Sequence, residues 1–278
     1  MRSSGGAAPT SAPPDTFLKH RFIQRRTQML FRALFILLAG MLASVSPAAW
    51  AYEFAPIVAQ FTPSGAGASR TFVIKNTHAE PIAIQIEVFQ RSADNQGNEI
   101  RQPEFDNFIV TPPQLVLAPG QSQSIRAQWI GDPDPDIELA YRLVVEQLPI
   151  PYAHEDAGDK RLMDVSVGFR YEAALYVLPK EGSPNAELVA SELARTDADE
   201  PQLRLTVRNT GKRRAILQNT VLTVRAGDRA IDLSGEAVSK LDNRNIIAGT
   251  QAVVDLPWPD GIPVGPVSVT MTADYYKN

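Results

Sequence analysis

From position 82 to 88 the chain reads Ile-Ala-Ile-Gln-Ile-Glu-Val, apolar at every second residue. Successive side chains of a strand point to opposite faces, so this run buries one face of a sheet and leaves the other in water. Strand-like runs recur at 71–76, 108–117, 122–129, 141–146 and 163–178. Pro, Gly or Asp-rich turns separate them. No stretch after Tyr52 carries a sustained apolar period of 3.6. Short strands at this spacing predict an all-β, antiparallel sandwich. With 278 residues the chain has room for about two such units, each able to bury a core.

The pattern partly repeats. Ile74-Lys75-Asn76-Thr77 returns as Val207-Arg208-Asn209-Thr210, and Ile84-Gln85 as Leu217-Gln218, at one offset of 133. Leu117-Ala118-Pro119-Gly120-Gln121 is echoed by Ile246-Ile247-Ala248-Gly249-Thr250. Two related sandwiches in tandem account for this, over 52–180 and 187–278, joined by a linker at 181–186. Chance likeness among common strand–turn–strand words is the alternative.

Residues 1–51 follow other rules. Ser, Gly, Ala and Pro dominate 1–17, a disordered composition. Lys19, Arg21, Arg25, Arg26 and Arg32 then precede an apolar run at 33–45 that ends in Pro47-Ala48-Ala49-Trp50-Ala51. A basic stretch, a dozen apolar residues and a small-x-small end make a secretory signal, cut to leave a chain beginning near Tyr52. A retained membrane anchor is the alternative, but the run is short for a bilayer core of about 30 Å. Met29 is the alternative start to Met1, since 29–51 alone has the length of a signal.

Export shifts the charge. Six of the 27 basic and one of the 31 acidic residues lie in 1–51, leaving a net charge of −9 on residues 52–278. Such an acidic chain is a poor partner for nucleic acid. Cys is 0, which excludes a disulfide framework, a thiolate metal site and a Cys nucleophile. Catalytic and metal signals are weak. His78 sits in a turn, and His154 lies alone in an acidic loop. Asp132, Asp134 and Asp136 alternate with Pro without the Gly and distal Glu of a calcium loop. They read as a solvated turn. No cofactor or metal is expected.

One ordered set of words is more specific. Thr111-Pro112-Pro113 is followed by Leu117-Ala118-Pro119-Gly120-Gln121, by Arg126, by Tyr141-Arg142-Leu143 leading to Pro149, and by an alternating strand ending at Pro179. This order resembles the periplasmic pilus (fimbrial) assembly chaperones of chaperone–usher systems, over about 54–180 and more loosely over 187–278. Tyr141 to Pro149 looks most like their divergent archaic branch. The resemblance implies two immunoglobulin-like β-sandwich domains in an L shape. It implies a non-enzymatic periplasmic protein that lends an edge strand to a pilin lacking its last strand, then delivers that subunit to an outer-membrane usher. Main-chain bonds would give affinity, and alternate side chains would fill the client's groove.

Counted back from Pro179, the donor positions implied are Phe169, Val167 and Val165, extended by Tyr171 and Met163. The alternation alone fits equally well a strand facing its own core. The family anchors the client's terminal carboxylate with two basic residues, whose slots fall here near Val58 and on Ala174, neither of them basic. Arg170, of the same strand parity as Ala174, and Arg142, on the preceding strand, are the substitute candidates. An ordinary surface ion pair is the alternative for each. An exposed donor edge is an aggregation hazard, so without client it is expected to be blunted by mobility, by loop 152–162 or by self-association. The rival readings are a secreted two-domain adhesin or carbohydrate-binding module, which would show clustered exposed aromatics, and a sandwich hydrolase, which would show convergent carboxylates.

Overall fold

The computed structural model describes residues 52–149 and 168–276. Apart from short 3-10 turns at Gly65–Ala68 and Gly235–Val238, all regular structure among them is strand. The first ten strands are β1 (Glu53–Ala55), β2 (Val58–Phe61), β3 (Ser69–Lys75), β4 (Ile82–Ala93), β5 (Glu99–Pro103), β6 (Phe108–Thr111), β7 (Gln114–Leu117), β8 (Ser122–Trp129), β9 (Leu139–Leu148) and β10 (Arg170–Val177). They form two facing sheets, ordered β1-β3-β8-β6 and β2-β10-β9-β4, with β5 and β7 both on the far side of β4. The chain changes sheet between β1 and β2 at a cis Ala55–Pro56 bond, and between β6 and β7 at Pro112-Pro113. The strand-like run at 108–117 is thus broken at Pro112-Pro113 into two strands, one in each sheet. Proline has no N–H to offer the ladder, so pairing stops there.

Seven more strands follow: β11 (Ala186–Arg195), β12 (Pro201–Asn209), β13 (Ala215–Ala226), β14 (Arg229–Leu233), β15 (Asn245–Ile246), β16 (Gln251–Pro257) and β17 (Ser268–Tyr275). One sheet is β11-β12-β16; in the other, β13 pairs with β14, β15 and β17. Each sandwich has its own core. Ile82, Ile84, Ile86 and Val88, the inward half of the alternation, are buried with Phe72, Ile74, Leu143 and Leu175. Leu203, Leu205, Val207, Leu217, Leu222 and Val224 fill the second core. Burying each such side chain contributes about 1.5–3 kcal/mol. Each core also has one indole. Trp129 is buried and donates from Nε1 to the Asp132 carbonyl, and Trp258 packs against the second core and donates to the Ile262 carbonyl.

The repeated words occupy equivalent corners. Asn76, fully buried, donates from Nδ2 to the carbonyls of Glu80 (2.8 Å) and Leu117 (3.0 Å), while its Oδ1 accepts from the His78 amide. Asn209, also fully buried, donates to the carbonyls of Arg213 (2.8 Å) and Ile246 (2.9 Å), and its Oδ1 accepts from the Gly211 amide. The Asn76 carbonyl accepts from Gly120, the Asn209 carbonyl from Gly249. Both glycines take a positive φ, 72° and 75°, which a side chain at either place would resist. The strand pairs match too: β3–β8 with β12–β16, β4–β5 with β13–β14, and β4–β7 with β13–β15.

Candidate functional site

Among the described residues, strand β10 is paired along its full length on one side only. On one side it pairs antiparallel with β9 along its length, from Arg170↔Glu146 to Val177↔Leu139. On the other side β2 runs parallel to it only from Ala174↔Val58 to Val177↔Phe61. Among the described residues, no strand lies beside Arg170–Ala173 on that side. The β9–β10 ladder continues upstream through the Gln147 amide bonding the Phe169 carbonyl at 2.9 Å. Tyr52 closes over this end. Its hydroxyl donates to the Val145 carbonyl at 2.5 Å and lies 3.4 Å from that of Phe169, and burial pushes the phenol well up from its ordinary range.

The two faces of β10 have separate tasks. Odd-numbered Phe169, Tyr171, Ala173, Leu175 and Val177 face the first core. Ala173, Leu175 and Val177 are fully buried, while Phe169 and Tyr171 are half-buried at the core's margin. Tyr171 meets Tyr52 edge-on at 4.6 Å between centroids, and Phe169 meets His78 at 5.5 Å. Met163, Val165 and Val167, the other expected donor residues, lie outside the described residues, as does His154.

Even-numbered Arg170 and Glu172 lie on the opposite face, in a chain of ion pairs across four strands. Arg170 bonds Glu146 at 3.5 Å and Glu172 at 3.3 Å. Arg101 grips Glu172 with both terminal nitrogens, at 2.7 and 2.8 Å. Glu99 takes Arg101 at 2.6 Å, Arg142 at 2.9 Å, and Arg91 as well. Burial pushes the Glu99 carboxyl up, but hydrogen bonds from Arg142 and Arg101 and the charge of Arg91 outweigh it, pulling the group down to about 2. Both expected anchor arginines are therefore engaged with carboxylates of this chain. They differ in freedom: the Arg170 side chain is 46% exposed and its bonds are long, whereas that of Arg142 is 22% exposed inside the Glu99 cluster.

The two slots for basic residues are direct neighbours, since Ala174 and Val58 are register partners. Ala174 is buried against Ala140, Tyr176 and Ile247, a small apolar cluster drawn from both sandwiches, which leaves no room there for a long cation. Tyr176 is the hub. The Arg214 guanidinium lies 3.8 Å over its ring, and its hydroxyl accepts from Asn245 at 2.8 Å and from Arg91 at 3.3 Å. Arg214 in turn binds the buried Glu138 at 2.8 Å. Burial raises the Glu138 carboxyl against the pull of that arginine. Beside this junction opens a cleft of about 1040 Å³, lined by Gln60, Leu178, Arg213, Asn219 and Tyr275 among others.

Sequence reasoning did not find Tyr176, Glu138 or Arg214. A tyrosine in a strand and one charge in a loop leave no periodic trace, and only the meeting of the sandwiches joins them. The Asp132–Asp136 segment is a turn, as expected: the Asp132 carboxylate accepts from the Asp134 amide, and Asp134 pairs with Lys180. No helix among the described residues is long and apolar enough to cross a membrane.

Comparison with known proteins bears on the same region. No curated protein matches the sequence. The chain has the fold of the Class 5 fimbriae chaperone CfaA, at 18% identity and a TM-score of 0.51 over 82% of this chain and 93% of that one. A chain of the CsuC–CsuE chaperone–tip adhesion subunit pre-assembly complex, from the archaic chaperone–usher Csu pili of Acinetobacter baumannii, is similar at 16% identity and a TM-score of 0.52, over 76% and 89%. The family described as pili and flagellar-assembly chaperone, PapD N-terminal domain, matches residues 62–182, which hold β10, β9 and the ion-pair face. What this match shows is likeness to that chaperone domain over the first sandwich, less than half of the chain.

Proposed function

We propose that this protein is a periplasmic chaperone of the archaic branch that binds pilin subunits by donor-strand complementation and hands them to an outer-membrane usher. The observation that carries the reading is the strand paired along its full length on one side only: Arg170–Ala173 have β9 on one side and no described strand on the other, within a sandwich that matches the chaperone domain. An uncovered edge offers its N–H and C=O groups to an incoming chain. Phe169 and Tyr171 share a face with the core, and Val167, Val165 and Met163 continue their parity upstream in the sequence. A client sandwich lacking one strand would receive that apolar row in its groove. The reading needs no cofactor and no catalytic step.

For the client's carboxylate, Arg170 is the stronger of the two anchor candidates. Exchanging its long bonds to Glu146 and Glu172 for a client group costs less than opening the Glu99 cluster around Arg142. Export would follow from the segment 1–51, with Tyr52 the first residue kept. The deciding experiment is copurification of the tagged protein from a periplasmic extract, with the bound chain identified and the mass of the exported protein measured. A stoichiometric subunit lacking its final strand supports the reading. Recovery of the protein alone, from cells making the pilus, would defeat it.

A further inference from the structure

We infer that the tip of the β4–β5 hairpin, residues 95–97, is a tie that fixes the orientation of the two sandwiches by adding its backbone to the free edge of β16. The inference goes beyond the chaperone reading and does not depend on a client.

Strand β16 pairs with β12 on one side, and its other side faces the hairpin. There the Val253 amide donates to the Gln96 carbonyl at 3.2 Å, and the Gln251 side-chain amide donates to the Asn95 carbonyl at 2.7 Å. The approach is close enough to demand glycine: a Cβ on Gly97 would stand 2.7 Å from the Ala252 Cα and 2.9 Å from the Gln251 carbonyl oxygen. The tip is also braced from within. Asp94 Oδ1 accepts from the amides of Gln96 and Asn98, each at 2.8 Å, and Oδ2 accepts from the Asn98 side chain at 2.9 Å. At its base Glu99 is held by three arginines.

The duplicate hairpin supplies an internal comparison. The paired strands have equal lengths in the two copies, 12 residues for β4 and β13 and five for β5 and β14. The loops differ, five residues at 94–98 against two at 227–228. The extra three residues are those in reach of β16. An ordinary hairpin would need none of them. The seam so closed leaves only about 30 Å³ between Arg91, Gly97, Asn245 and Ala252.

The test uses the chain's lack of cysteine. Spin labels at Gln123→Cys and Glu192→Cys, both exposed and one in each sandwich, report the inter-sandwich distance. Into this background go Gly97→Val, a deletion of residues 95–97, and Gly227→Val as control. Gly227 also has a positive φ, 58°, but nothing within 4 Å of its Cβ position, so the control carries backbone strain without the collision. A single narrow distribution is expected in the parent and the control, and a broadened or shifted one in the other two, with both sandwiches still folded by their melts. An unchanged distribution in the deletion variant overturns the tie. Hydrogen exchange on the unmutated protein is an independent test. The Val253 amide should exchange at least roughly tenfold more slowly than an open edge amide, and exchange at the open-edge rate overturns the proposal whether or not the variants fold.

Discussion

Asn76 and Asn209 each stitch a strand to the loop after a later strand, using donors and an acceptor that water cannot reach. Replacing either by Ala removes two donated bonds and at least one accepted bond at once. At about 1 kcal/mol for each bond, and more where a buried partner is left bare, Asn76→Ala and Asn209→Ala should each cost about 2–4 kcal/mol. Calorimetry should place each loss in the altered sandwich. Phe169 asks a different question. Half-buried, it should give up about 1–2 kcal/mol of the free protein's stability when cut to Ala, below the ~3–5 kcal/mol of a fully buried ring. Client affinity should fall about a hundredfold or more if the same ring enters a groove, since each 1.4 kcal/mol is tenfold. Melts of the free protein and client pull-downs, run side by side, separate the two outcomes. Full client binding by a folded Phe169→Ala variant would remove the donor role.

Among the elements, β10 shows where sequence reading succeeds and where it stops. The shared parity of Phe169 and Tyr171 was legible because period-2 alternation is local, but that the row continues through Ala173, Leu175 and Val177 into the core was not. Nor was its ionic face. Glu172 meets Arg101 from 71 positions away, and only the order β10-β9-β4-β5 brings them together. The same holds at the hairpin, where nothing in the sequence from Asp94 to Asn98 names β16 as its neighbour. The ion-pair face carries a pH signature. In the folded protein Glu99 stays ionised down to about 2, whereas in the unfolded chain it takes up its proton near 4.5. Its stabilisation is complete above 4.5 and fades as pH falls from there toward 2. Glu99→Gln should therefore lower stability by about 1–3 kcal/mol at neutral pH, discounted for its partial exposure, and by progressively less on acidification. Melting curves of both proteins between pH 7 and about 2.5 check the convergence; a constant gap would refute the assignment.

For the whole molecule, the doubling of the sandwich was visible in the repeated Asn-Thr words, whereas the junction was not. Glu138 and Arg214 come from loops of different sandwiches and are both buried. Cutting Arg214 to Ala would strand a carboxylate in the interior and take the cation off the Tyr176 ring, a change expected to cost about 3–5 kcal/mol. Adding Glu138→Gln should recover part of that loss, because the remaining group needs no counter-charge. Denaturation of the single and double variants measures the coupling. The two indoles offer a way to follow such experiments by light. A chain cut before Tyr52 keeps Trp129 and Trp258, one against each core. Their fluorescence is a resident optical reporter, and Trp129→Phe or Trp258→Phe silences one half so that emission from the other records its unfolding by itself.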